Sequence, residues 1–405
     1  MELKGISITK SPNLEDRVRL SGEVLYDDKG YQPEVYWFDV PDKYGKYLSD
    51  SGNPWLACLL PLAATFGEAL KISKPVDRAL FENAQDLMHI WKRWYPHLKV
   101  IPIEAELAEP QHSEVHLKTA SLFSGGVDSY FTVLRHNNNS GLVTGINIDD
   151  LLCIWGFDIP LKNEDAFFRM RDVLKSAAQH LGKELIDVAT NLRETRWLMS
   201  GYGPLSHGAA LASVGLALEK RYSKILIPGT HAYDNLMPNG SHPLTDPLFS
   251  TSNTRIIHDG AGFDRVEKTE FVAKSEIARR SLRVCWESHT DKNCQSCNKC
   301  YRTMMTLMLL GALGQCSTFD ESNLEMAKIR RIYSKDDNDR SLLGEVQALA
   351  LQKGRADIAR AIERSFKYSK RLGLYLRITR SLSTKRFVWR LSTRLERHLL
   401  ARSLV

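Results

Sequence analysis

The sequence predicts an α/β protein built on a parallel sheet with helices on both faces, and three observations carry that expectation. From Val115 onward short apolar runs alternate with glycine turns and helix-like stretches, the pattern of strands joined by crossover helices. Residues 1–115 instead carry alternating strand patterns followed by two helical ones, an N-terminal α+β domain of unknown role. After Cys316 the chain is polar and helical. The expected division is therefore 1–115, 116–315 for the parallel α/β domain, and 316–405 for a helical, basic extension.

Composition agrees with a folded protein of two or three domains: 405 residues, 43% of them hydrophobic. Nothing in it points to disorder or a fibrous chain. MELKGISITK has no apolar core or small-residue cleavage site, and the longest apolar runs fall short of a spanning helix. A cytoplasmic protein with reduced thiols is the expectation, and there clustered cysteines more often ligate metal than pair. The net charge of +7 is uneven, because Phe366 to Val405 holds eleven Lys or Arg and one acid, Glu396. The body is close to neutral, and the basic character belongs to the tail.

In chain order, "RVRLSGEVLY" and "EVYWFDV" read as strands, "PWLACLLPLAATFGEAL" and "VDRALFENAQDLMHIWKRWY" as helices, and "KVIPIEAE" as a further strand. "EPQHSE" reads as a linker. "VHLKTASLF" is a strand, "SGGVDS" a turn and "YFTVLRH" a helix start. "DDLLCIWGFD" forms a second strand, residues 164–181 a helix, and "ELIDVAT" a third strand. The helical "HGAALASVGLALEKRY" leads into the fourth strand, "KILIPGT". "LLGEVQALALQKG" and "ADIARAIERSFKYSKR" show helical periodicity. In the last stretch Val388, Leu391, Leu395 and Leu399 share one helical face, with Arg386, Arg390, Arg394 and Arg397 on another.

The turn in "SLFSGGVDSYF" follows a strand and opens a helix. Backbone N–H groups at such a helix start, with glycines permitting close approach, cradle phosphate oxygens. Ser124 and Ser129 add hydroxyls to Gly125, Gly126 and Val127, and Asp128 suits Mg²⁺ beside the phosphates. No G-x-x-x-x-G-K-[ST] occurs, so this is not the ordinary nucleotide P-loop. "GPLSHGAAL" puts Ser206 and His207 at a helix start, suited to a phosphate or a carboxylate. "PGTHAYDN" brings His231 and Asp234 to the C-terminal edge of the sheet, where open α/β sheets bind ligands. "SHPLTDPLFSTSNTRIIHDG" is rich in polar groups, among them His242 and Asp246, and reads as a substrate-recognition segment.

S-G-G-V-D-S in this setting resembles the PP-loop of the N-type ATP pyrophosphatases. That resemblance implies a PP-loop ATPase fold, with ATP and Mg²⁺ as ligands and cleavage between the α and β phosphates. It places Phe157 at the start of an adenine pocket. It also makes Arg265, Lys268 and Lys274, in "DRVEKTEFVAKSEIAR", candidates with Asp128 for catalysis, as cations beside departing pyrophosphate.

Cys285, Cys294, Cys297 and Cys300 read C-x8-C-x2-C-x2-C, a spacing that suits a closed tetrahedral Zn²⁺ site, with an iron–sulfur cluster as the rival. Cys58, Cys153 and Cys316 lie in apolar runs and read as core. Four cysteines beyond the glycine turn and a "KSEI" helix resemble 7-cyano-7-deazaguanine synthase, over about Val115 to Leu310. In that enzyme the zinc lies beside the substrate, which makes the intervening Trp286 a candidate substrate contact. The proline-aspartate-cysteine-arginine stretch of the synthase is absent; "NLMPNGSHPLTDPLFSTSNTRIIHDG" stands in its place, so a divergent member with a changed pocket is expected.

The reaction so implied is adenylation of a substrate carboxylate or amide oxygen, release of pyrophosphate, and attack by ammonia or an amine. The chain shows no glutaminase of its own: position 2 is Glu, and no cysteine sits in a G-x-C-x-G setting. Two other readings stand beside this C–N ligase. A tRNA-modifying thiolase or lysidine-type ligase would use the basic tail on RNA; a non-catalytic nucleotide-binding scaffold would dock it on a membrane surface or a partner. A homodimer is also open.

Overall fold

Strand and helix patterns of the first hundred residues become a meander and two helices in the computed structural model, which describes residues 1–108, 117–137 and 145–382. The linker read at 109–114 and the basic helix read beyond residue 385 lie outside the described residues. By packing, the chain forms two units: Met1–Ser124 with Asp128–Gly262, and Gly125–Val127 with the chain from Phe263 onward.

The first unit opens with β1 (Glu2–Lys10), β2 (Arg17–Leu25) and β3 (Glu34–Pro41), an antiparallel meander. Helix α1 (Asn53–Phe66) is buried over nearly its whole circumference, as its continuous apolar sequence requires. It stops four residues before Leu70, because Gly67 takes the left-handed conformation (φ 73°) that caps a helix. Strands β4 (Leu70–Ile72) and β5 (Val76–Asp77) follow. Helix α2 (Arg78–Trp94) begins at Asp77, whose carboxylate accepts from the N–H groups of Ala79 and Leu80. The strand expected over "KVIPIEAE" shrinks to β6 (Ile103–Glu104), with β7 (Leu107–Ala108) beyond it.

The alternating part supplies β8 (Lys118–Leu122), α3 (Val127–Arg135), β9 (Asp150–Trp155), α4 (Glu164–His180), β10 (Glu184–Thr190), α5 (His207–Leu216), β11 (Tyr222–Pro228) and β12 (Arg255–Asp259). Five of its strands run parallel in the order β12-β11-β8-β9-β10. The chain thus lays strands outward on one side of β8, then crosses to the other side. Such a reversal leaves a crevice at the carboxyl ends of β8 and β11.

The two sets of strands join into one ten-stranded sheet, which continues from β10 through β3, β2, β1 and β4 to β6. Only two residue pairs form the β10–β3 ladder, Ala189 with Asp39 and Thr190 with Phe38. Side chains extend it. Asn191 accepts from Trp37 N at 3.0 Å and donates to Val35 O at 2.8 Å, imitating the next ladder step. Buried Arg17 bridges the seam, donating to the Asp187 carboxylate at 2.5 Å and to Asp39 O at 2.7 Å.

The second unit is helical: α6 (Arg265–Ala273), α7 (Glu276–Ser281), α8 (Asn298–Leu309), α9 (Met326–Ile329), α10 (Asp337–Gln352) and α11 (Ala356–Leu382). Its core joins Tyr301 and Met305 of α8 to Leu343 and Val346 of α10 and Ile358 and Ile362 of α11. Cys58, Cys153 and Cys316 are buried free thiols, in keeping with a core role. No helix among the described residues is long and apolar enough to cross a membrane.

Candidate functional site

The glycine turn leaves the carboxyl end of β8 beside β9, where Phe123 N donates to Leu152 O at 2.7 Å. Gly125 holds φ at 75°, a region a side chain would resist, and the chain then enters α3 at Val127. Ser124 is exposed, Asp128 half-buried and Ser129 buried. Within the second unit, Gly125 O accepts from Arg283 N at 2.9 Å. Across the mouth of the crevice, Thr230 in the turn after β11 donates its hydroxyl to Asp128 Oδ2 at 3.0 Å. The hydroxyl of Thr132, one turn along α3 from Asp128, donates to Asp259 at the end of β12 at 2.8 Å. Burial pushes the Asp259 carboxyl up, but His136, Arg135 and Thr132 together hold it below its ordinary range.

A second polar group lies at the ends of β11 and β12 in the same unit. Asp246, fully buried, accepts from Ser241 Oγ at 2.7 Å, His242 N at 3.2 Å and His258 Nδ1 at 2.7 Å. It crowds the start of α5, where a Cβ on Gly208 would meet Asp246 Oδ1 at 2.2 Å. A carboxylate so placed is favoured by the helix dipole. His242 packs its ring edge-on against Trp94, centroids 4.9 Å apart. Burial and the neighbouring His258 lower its pKa, against the pull of Asp246. The turn after β11 buries His231 and leaves Asp234 exposed.

Phe157 and His207 meet through Tyr202, whose ring lies 5.7 Å from the first and 5.0 Å from the second. Ser206, directly before α5, is buried with its hydroxyl 2.8 Å from that of Ser200. Sequence reasoning passed over Thr230, His258 and Asp259. All three stand just beyond or at strand ends, the position that drew attention to His231.

In the second unit the three proposed cations separate. Arg265 and Lys268 are buried on α6, whereas Lys274 caps that helix and is exposed. Arg265 N donates to Glu345 Oε2 at 3.0 Å. Burial, then the Asp264 charge, raise the Glu345 pKa to about 7 despite the opposing Arg302 and Arg265. Trp286 is 40% exposed, with Lys335 Nζ 5.8 Å from its ring centroid.

The four cysteines converge: their sulfurs all lie within 4.8 Å of one another. A Zn–S bond of about 2.3 Å in a regular tetrahedron separates sulfurs by about 3.8 Å. Cys294 and Cys300 are 3.8 Å apart. Backbone N–H groups of Ser288, Ser296, Cys297 and Cys300 point at the sulfurs of Cys285, Cys294, Cys294 and Cys297, at 3.3–3.4 Å. Such donors favour thiolate. Gln295 takes φ 56° inside the tight turn between Cys294 and Cys297. Asn293 braces the other arm, accepting from Val284 N and Cys285 N and donating to Leu282 O. The hydrogen bonds among the four thiols lower the pKa of Cys285 and Cys294 and raise that of Cys297 and Cys300, as expected of one tightly coupled cluster. The donor set fits a metal ion such as zinc.

No protein-family model, curated protein or solved structure matches the chain.

Proposed function

We propose that the chain is an ATP-dependent C–N ligase of the N-type ATP pyrophosphatase kind, with its PP-loop at residues 124–129. One observation carries the reading: a glycine turn leading into a helix, at the point where a parallel sheet reverses its strand order. Sheets of this kind bind ligands at that point, and helix N–H groups there favour phosphate. Ser124, Gly125, Gly126 and Ser129 are assigned to the phosphates. Asp128, steadied by Thr230, is assigned to Mg²⁺, which when bound neutralises charge on the phosphates. Phe157, Tyr202 and His207 are the aromatic group assigned to the adenine side.

In the proposed reaction a substrate carboxylate oxygen bonds to the α-phosphorus as the bond to pyrophosphate breaks. An amine or ammonia then bonds to the acyl carbon and AMP leaves with the electron pair. Positioning and fixed charge carry this chemistry. The Cys₄ zinc is assigned to structure alone.

The test is pyrophosphate release from Mg-ATP with a panel of carboxylic acids and ammonia. Asp128→Ala should lower release on the order of 100-fold, and Thr230→Val, which leaves the carboxylate but frees it, on the order of 10-fold. A native protein that neither binds ATP in equilibrium dialysis nor releases pyrophosphate above the Asp128→Ala variant would refute the assignment.

A further inference from the structure

We propose that the exposed face of α11 is a docking surface for the phosphate backbone of a nucleic acid. Arg360, Arg364, Lys367, Lys370, Arg371 and Arg377 are all exposed. Arg360, Arg364, Lys367 and Arg371 follow i, i+4, i+7, i+11 spacing, which aligns them along one side of a helix. The six span about 26 Å at 1.5 Å per residue. The acids of this stretch are already matched: Glu363 pairs with Lys367 at 2.7 Å and Asp357 with Arg355 at 2.8 Å.

A neighbouring segment covers the other side of the helix. Ser334 N donates to Ser369 Oγ at 3.0 Å, and that hydroxyl reaches Ile332 O at 3.1 Å. This anchors residues 332–334 to the side of α11 that faces away from Arg360, Arg364, Lys367 and Arg371.

The opposite side of α11 decides between two anionic partners. Ile358, Ala359, Ala361, Ile362, Leu372 and Leu376 are buried. A membrane-surface helix needs a free apolar face to enter the lipid. Here that face is spent on the protein core, and among the described residues of α11 Leu374 is the one large apolar side chain left exposed. What α11 offers is a linear array of cations, the complement of a phosphodiester chain. This surface is independent of the adenylation reading, since none of its residues belongs to that machinery.

The test uses the full-length protein with a short labelled DNA duplex, the RNA duplex of the same sequence, and phosphatidylserine vesicles. Five cations, with Lys367 discounted for Glu363, imply a slope of log affinity against log salt near about −4.5. The triple variant Arg360→Glu, Arg364→Glu, Arg371→Glu should reduce that slope by about 3 and weaken duplex binding at least about tenfold. The milder triple change to Gln should give an intermediate loss, and thermal melting of both variants should match the native protein. Preference between the two duplexes identifies which nucleic acid is bound. Duplex binding unchanged in both triple variants, or vesicle binding without duplex binding, would overturn the proposal.

Discussion

Gly229→Ala isolates the role of the buried Asp246–His258 pair. His258 is 3% exposed, with Nδ1 2.7 Å from Asp246 Oδ2 and Nε2 facing Gly229. A Cβ at position 229 would stand 2.3 Å from Nε2, 2.9 Å from Cδ2 and 3.0 Å from Cε1. The backbone of Gly229 is not in the left-handed region, so alanine alone would stabilise by about 0.4–1 kcal/mol. Overpacking against a ring held on both sides reverses that sign, for a net cost of about 1–3 kcal/mol. His258→Ala taken singly strips a donor from a buried carboxylate, costing about 1–3 kcal/mol. In the double variant the new methyl enters the space the ring has left. Its cost should fall below the sum of the two by at least about 1 kcal/mol, outside the about 0.3–0.5 kcal/mol scatter of additive pairs. Guanidinium unfolding followed by tryptophan fluorescence reads all four proteins, and additive costs, or a neutral Gly229→Ala, would refute the packing argument.

Elemental analysis should find one zinc bound by the cysteine cluster, lost on Cys297→Ser or strong chelation together with the cooperative melting of the second unit. A brown protein with visible absorption would assign the cluster to iron–sulfur instead. Glu345 should make stability fall with rising pH. Between its ordinary pKa of 4.5 and its folded value of about 7, the folded state keeps a proton that the unfolded chain has released. The loss across that window is about 3 kcal/mol, and Glu345→Gln, which can still accept from Arg265 N, should flatten it. An unchanged dependence of the denaturation midpoint on pH in Glu345→Gln would remove Glu345 as its source.

Local signals were legible and long-range ones were not. The alternation of apolar runs with helical stretches gave the parallel strands, because both patterns lie within a few residues of each other. The C-x2-C steps placed three sulfurs on one turn and the start of α8, so the cluster was readable from spacing. The helix from Asn53 was overrun because Gly67 looks like any other small residue until its φ is known. Asp246 was singled out as a polar loop residue, yet its partner His258 sits in a β-strand, where a sequence scan expects packing and not a hydrogen-bonded pair. The seam between β3 and β10 leaves no mark at all: it pairs residues 150 positions apart, and its key side chain, Asn191, reads as an ordinary turn residue.

That seam sets a timetable for synthesis. The β1–β3 meander can assemble as soon as it clears the ribosome, but the outer edge of β3, "EVYWFDVP", has no neighbour until β10 is made. At about 5–20 residues per second the wait for 150 more residues is about 8–30 s. Throughout it an aromatic-rich strand presents unpaired N–H and C=O groups, an invitation to pair with another nascent chain. The short native ladder, completed by the Asn191 amide and by the Asp187 carboxylate that receives Arg17, then makes closure depend on side chains that no foreign strand supplies. Selectivity for the right partner strand is thereby written into two residues, and chaperone dependence during expression should rise when either is replaced by alanine.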